Sequence, residues 1–161
     1  MTDRPLRYQR CAFSTLLDPS RLYTPGHAWL SRQGDHLWRV GFTEFAVRIL
    51  GELVELRFQV DPGDQIEEGE VIGSVEGFKA VSDLYAAMAG RFVGANPDVA
   101  RDIELIQSDP QGRGWLYDVE GTPGRGCLRA AQYVSVIDKA IDTMLASDRG
   151  EETDFGQGPS C

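Results

Sequence analysis

The sequence predicts a mainly β protein, a small barrel or sandwich with short helices and a C-terminal amphipathic helix. Three observations carry that expectation. Short apolar runs recur between Gly and Pro residues over the central hundred positions. Residues 53–60 alternate strictly, with Val54, Leu56, Phe58 and Val60 on one side and Glu55, Arg57 and Gln59 on the other. Near the end, Ala130, Val134, Ile137, Ile141, Met144 and Leu145 keep helical spacing, predicting a helix over 128–147 packed on the β module.

The elements follow in order. Residues 1–22 form an N-terminal extension, and 23–120 form the module. His36-Leu37-Trp38-Arg39-Val40-Gly41 reads as a strand. Thr43 is a plausible N-cap for a short helix over 44–50 that stops at Gly51. Asp61-Pro62-Gly63-Asp64 closes the alternating strand with a turn, since Pro pre-sets φ and Gly accepts a positive one. Strand pieces follow at Ile66, Val71-Ile72, Val75, Leu84-Tyr85 and, after Gly90, at Arg91-Phe92-Val93. Asn96-Pro97-Asp98 has the form of a cap with Pro at the first helical position, opening a turn or two towards Ile103. Residues 121–127 form a turn-rich linker to the C-terminal helix. The polar, Gly-rich stretch 148–161 reads as a disordered tail.

Composition narrows the function. Among 161 residues, 25 acidic against 16 basic side chains give a net charge of -9, which disfavours binding to a phosphate backbone, so no nucleic-acid partner is expected. No apolar run approaches the roughly 18 residues of a membrane span. Met1-Thr2-Asp3-Arg4-Pro5 lacks the basic-then-apolar layout of a signal peptide, so a cytoplasmic location is expected. Cys11, Cys127 and Cys161 are too scattered for a disulfide framework or a zinc site, so no metal is expected. With two histidines and no Gly-x-Ser-x-Gly, P-loop or dinucleotide fingerprint, nothing points to an enzyme in its own right.

One residue stands out. Only Lys79 and Lys139 are lysines, so Lys79 is the sole lysine in the first 138 residues. It lies in Glu76-Gly77-Phe78-Lys79-Ala80, between two strand pieces, where a hairpin tip would expose its amine to another protein. Taken alone, a loop lysine is usually a solvated charge.

The surrounding motifs change that weighting. Tyr23-Thr24-Pro25-Gly26-His27-Ala28-Trp29, Val40-Gly41-Phe42-Thr43, Glu76-Gly77-Phe78-Lys79-Ala80, Ser82-Asp83, Ser108-Asp109-Pro110 and Gly114-Trp115-Leu116 occur in this order. Together they resemble the glycine cleavage system H-protein family over residues 23–118. The resemblance implies a barrel-sandwich hybrid fold, a non-catalytic carrier role, and lipoic acid in amide linkage on Lys79. It implies that Glu76 is recognised by the attaching lipoate ligase or lipoyl transferase. It also implies that Asp83 borders the cleft in which the arm rests, and Phe78, which departs from the family's usual residue, is expected at that cleft too. Biotinyl domains, which flank their lysine with methionines, and acyltransferase lipoyl domains, which lack the His-x-Trp and Ser-Asp-Pro blocks, match less well.

The chain also departs from the family. Where H-proteins usually read Ser-His-Glu-Trp, this chain reads Gly26-His27-Ala28-Trp29. In the family that Ser and Glu, with the Asp matching Asp83, hold the cationic amine of the loaded arm. Each charge-assisted bond of that kind contributes about 1.5–3 kcal/mol. His27 and Trp29 read as packing residues. Phe78 adds an aromatic ring beside the arm, and Cys11 and Cys127 flank the module as candidate redox thiols that could pair or lie near one another if its two ends meet. These features resemble the lipoate-binding proteins of bacterial sulfur oxidation. The expected client is therefore a heterodisulfide-reductase-like complex. The alternative is the glycine cleavage enzymes with dihydrolipoamide dehydrogenase, the arm then carrying an aminomethyl group.

Overall fold

The computed structural model describes residues 4–148, and the reading of 148–161 as a tail lies outside the described residues except for the backbone of Asp148. Strands β1 (Leu6–Arg10) and β2 (Phe13–Leu17) form an antiparallel hairpin. A six-stranded sheet runs in the order β3 (Leu22–Tyr23), β4 (Ala28–Arg32), β5 (Leu37–Phe42), β11 (Tyr117–Glu120), β10 (Gly90–Ala95) and β7 (Gln65–Ile66). A three-stranded sheet is ordered β6 (Leu53–Phe58), β8 (Val71–Gly77), β9 (Val81–Tyr85). The helices are α1 (Glu44–Leu50), α2 (Pro97–Arg101), α3 (Leu105–Ser108) and α4 (Ala130–Asp148). Mainly β architecture with short helices and a C-terminal helix is thus the observed fold.

Local chemistry explains the short helices. The Thr43 side chain accepts a hydrogen bond from Ala46 N, and Gly51, with φ 71°, ends α1. Asn96 caps α2 through Asp98 N, with Pro97 at the first helical position. Helix α3, four residues long, is too short to leave a periodic signal in the sequence. Strand β6 also differs from its expected alternation. A register shift between Leu53 and Glu55 inserts one residue opposite β8, so Val54 is expelled and 51% exposed while Leu53 is buried in its place.

Two apolar cores result. The first fills the space between the larger sheets with Leu30, Val40, Ile66, Ile72, Val75, Met88, Phe92, Ile106 and Val119. Gly41 is obligatory there, because a Cβ at that position would stand 2.3 Å from the Trp29 ring. The second core joins the N-terminal hairpin to α4: Tyr8, Phe13 and Leu17 pack with Phe45, Trp29, Tyr133, Ile137 and Ile141. Polar bonds fasten the same seam. Tyr8 donates to Asp138 (2.6 Å), and Arg10 pairs with Asp142 (2.6 Å). Burial and the Asp138 carboxylate push the Tyr8 hydroxyl pKa well up, so it stays protonated as the donor. No helix among the described residues is long and apolar enough to cross a membrane.

Ile137 is fully buried on α4, facing the hairpin and Trp29. Ile137→Asp should therefore cost about 3–5 kcal/mol of unfolding free energy, against about 1 kcal/mol for Ile137→Val, read from denaturant midpoints at pH 7. Equal midpoints for Ile137→Asp and wild type would mean that α4 contributes nothing to the fold.

Candidate functional site

Strands β8 and β9 pair antiparallel from Val71–Tyr85 up to Glu76–Val81, and Gly77 N donates to Ala80 O (2.9 Å) to close the tip. Phe78, Lys79 and Ala80 are exposed on that tip. The tip does not hang free. Gly77 pairs with Leu53, and Phe78 N donates to the Glu52 carbonyl (3.3 Å), where α1 hands over to β6. A Cβ on Gly77 would lie 3.1 Å from that carbonyl, so only a residue without a side chain approaches it this closely with ease. Beneath the hairpin, Ile72, Val75 and Leu84 are buried. Lys79 therefore projects from a fixed root.

Beside this hairpin lies a cleft of about 390 Å³, bounded by β9, by the segment Thr24–Ala28 and by residues 126–127. Its wall is largely apolar, with Val40, Phe42, Leu84 and Leu116. Gly26, Ala28 and Asp83, which the sequence singled out together, all line it. Glu68 lines it as well, and no sequence signal marked that residue, because the turn between β7 and β8 comes near the linker only in the fold. Glu68 and Asp83 are the only charged residues on the wall among the described residues.

Three expectations need correction. Phe78 does not border the cleft: it sits on the tip and is 74% exposed, because the turn carries it away from the β9 edge. Cys11 and Cys127 do not pair, since Cys11 is disulfide-bonded and Cys127 is a free thiol. As a result Cys11, packed in the second core, is no free redox thiol, while Cys127 lines the cleft. Burial pushes the Cys127 thiol pKa up, and the nearby Glu68 carboxylate pushes it further.

The other motif residues build the frame. His27 Nδ1 meets the Tyr133 hydroxyl (2.8 Å), which also meets Thr43 Oγ1 (2.8 Å). Burial lowers the His27 pKa and keeps the ring neutral. Trp29 Nε1 donates to the Pro110 carbonyl (2.9 Å) beneath the Arg21 guanidinium. Among the described residues no cluster of His, Cys, Asp and Glu is placed to hold a metal ion.

A family model described as Glycine cleavage H-protein matches residues 21–133. The chain belongs to that family. A glycine cleavage system H protein of Mycobacteroides abscessus is 37% identical over 133 residues, covering 82% of this chain and 93% of the relative. One from Mycobacterium avium is 42% identical over 104 residues, 65% of this chain and 78% of the relative. The crystal structure of a glycine cleavage system H protein from Mycobacterium marinum superposes with a TM-score of 0.69 at 35% identity, covering 76% of this chain and 99% of that one. The hairpin of β1 and β2 falls before the family match begins, and most of α4 falls after it ends.

The raised thiol pKa has a measurable consequence. At pH 8 Cys127 should be alkylated by iodoacetamide more slowly than free cysteine, and Glu68→Gln should speed it by lowering the pKa. Mass-monitored alkylation that is equally fast in both proteins would show that Glu68 does not act on the thiol.

Proposed function

We propose that this protein is the H-protein of a glycine cleavage system, carrying lipoic acid in amide linkage on the Nζ of Lys79. The observation that carries the reading is an exposed lysine on a fixed hairpin tip, with an apolar, carboxylate-bearing cleft along the same strand. Membership of the H-protein family supports it, as do relatives named glycine cleavage system H protein. A sulfur-oxidation client finds no such support, and the glycine cleavage alternative replaces it as the favoured reading.

Attachment needs an enzyme that activates the lipoyl carboxyl. The Lys79 amine attacks the activated carbonyl, an amide bond forms, and the activating group departs as the nitrogen loses a proton. Glu76, three residues before Lys79 on β8, is the expected recognition point for that enzyme, a lipoate ligase or lipoyl transferase. Once attached, the group supplies a cyclic disulfide that opens on accepting an aminomethyl unit and is later re-formed by oxidation. The chain itself catalyses none of these steps.

What the chain contributes is the resting place. Val40, Phe42, Leu84 and Leu116 offer an apolar wall that excludes water from an alkyl arm. Asp83, four residues beyond Lys79, presents a carboxylate to the cationic amine of a loaded arm, a charge-assisted pairing. Gly26 and Ala28 leave the opposite wall without side-chain polar groups. Partner enzymes then include the glycine-decarboxylating enzyme, the aminomethyl-accepting enzyme and dihydrolipoamide dehydrogenase.

Coexpression with a lipoate ligase should add one lipoyl increment to the intact mass, absent from Lys79→Ala and from Lys79→Arg, whose guanidinium is too weak a nucleophile. Both variants should keep the wild-type melting temperature, since the side chain is exposed. The lipoylated protein should support glycine–bicarbonate exchange with glycine decarboxylase. A loaded protein that supports no exchange would sink the client assignment, while an unmodified Lys79 would sink the carrier.

A further inference from the structure

The outer face of the β6–β8–β9 sheet contains features that the cleft does not explain. In antiparallel pairs, directly opposed residues share a face. Glu55, Glu76 and Val81 therefore stand in one row across the three strands, nearest the tip. The bulge turns Val54 out beside this row, and Phe78 stands on the tip itself. Phe78, Val81 and Val54 are 74%, 64% and 51% exposed, so three large apolar side chains gather around Lys79 without cover from any described residue. The row is also acidic. Arg57, one row further along with Ser74 and Asp83, pairs with Glu55 (2.8 Å), so the two rows hold three carboxylates against one guanidinium.

We propose that this end of the sheet is the docking surface of the enzyme that acylates Lys79, with Phe78 as its anchor. The inference rests on the reading of Lys79 as the lipoyl site. Acylation happens at Nζ, so the attaching enzyme must close around the tip to within a lysine side chain's length of the backbone. Enzymes that act on the distal disulfide have their reacting atoms at the far end of the arm, so their chemistry does not require them to close on the tip itself. The complementary surface is an apolar pocket that takes an aromatic ring, flanked by basic side chains that face Glu55 and Glu76. An exposed aromatic surrounded by smaller apolar groups is the arrangement in which one side chain dominates an interface.

The test uses the full, unlipoylated chain with purified lipoate ligase, ATP and lipoic acid, following the intact mass over time. Phe78→Ala should lower kcat/KM for lipoylation about tenfold, chiefly through KM, at an unchanged melting temperature. Phe78→Leu should recover most of the loss. Leu16→Ser, which removes a comparably exposed apolar side chain (54%) from β2, should load at the wild-type rate. Wild-type kinetics for Phe78→Ala, or an equal loss in Leu16→Ser, would overturn the docking surface while leaving Lys79 as the lipoyl site. A wild-type dimer in sedimentation that Phe78→Ala dissociates would overturn it too, by showing the face to be a contact between copies. A wild-type chain that takes no lipoyl group would remove both the docking surface and the carrier reading.

Discussion

The functional reading depends on one constraint, the tying of the β8–β9 tip to the end of α1. A carrier arm is useful only if its root is held while its far end moves, because a mobile root spreads the arm over positions that no partner addresses. Here the Glu52 carbonyl accepts from Phe78 N, Gly77 packs against the same carbonyl, and the Gly77–Ala80 bond closes the turn. Below the tip, Ile72, Val75 and Leu84 are buried in the main core. Lys79 is thus exposed without being loosely held.

The second core extends this constraint to the cleft. Leu128 exchanges two backbone hydrogen bonds with Tyr23 (2.8 and 2.7 Å), and Tyr133 stacks on the Tyr23 ring at 4.9 Å. Thr24, Pro25 and Gly26 on one side and Gly126 and Cys127 on the other continue directly from that bridge into the cleft wall. The C-terminal helix is thus tied to two segments of the cleft wall, although it supplies no functional group itself. The family match, residues 21–133, does not reach β1 and β2.

Legibility in the sequence follows the range of the interactions. Thr43, Gly51 and Asn96 were readable because a cap is made within four residues of itself. The hairpin is readable for the same reason, whereas the weight on Lys79 comes from the ordered motifs that resemble the H-protein family. Val54 was misplaced because a bulge is a two-strand event, invisible to the alternation of one strand. Glu68 was missed and Phe78 misassigned because membership of the cleft wall depends on how separate segments meet. The open question of whether Cys11 and Cys127 pair is answered on similar grounds, in the negative: flanking a module at its two ends does not fix where the thiols lie within it. The β2 strand is legible in principle, since Phe13, Thr15 and Leu17 alternate with Ser14 and Leu16, but an alternation only five residues long is a weak signal.

If Lys79 carries the proposed lipoyl arm, the cleft chemistry also accounts for how a free thiol is tolerated there. An arm ending in a cyclic disulfide is open to attack by any thiolate it can reach, and such exchange would trap the arm as a mixed disulfide. Attack requires the thiolate, not the thiol. Burial and the Glu68 carboxylate both raise the Cys127 pKa, so each lowers the thiolate fraction at neutral pH. Glu68 thus has two electrostatic effects that agree in sign: it disfavours an anion at sulfur and it adds to the negative potential that Asp83 offers a cation. A cleft with these charges favours a cationic load on an alkyl arm and disfavours an anionic one. That preference fits an aminomethyl group better than an oxidised sulfur species, despite the missing polar groups at Gly26 and Ala28.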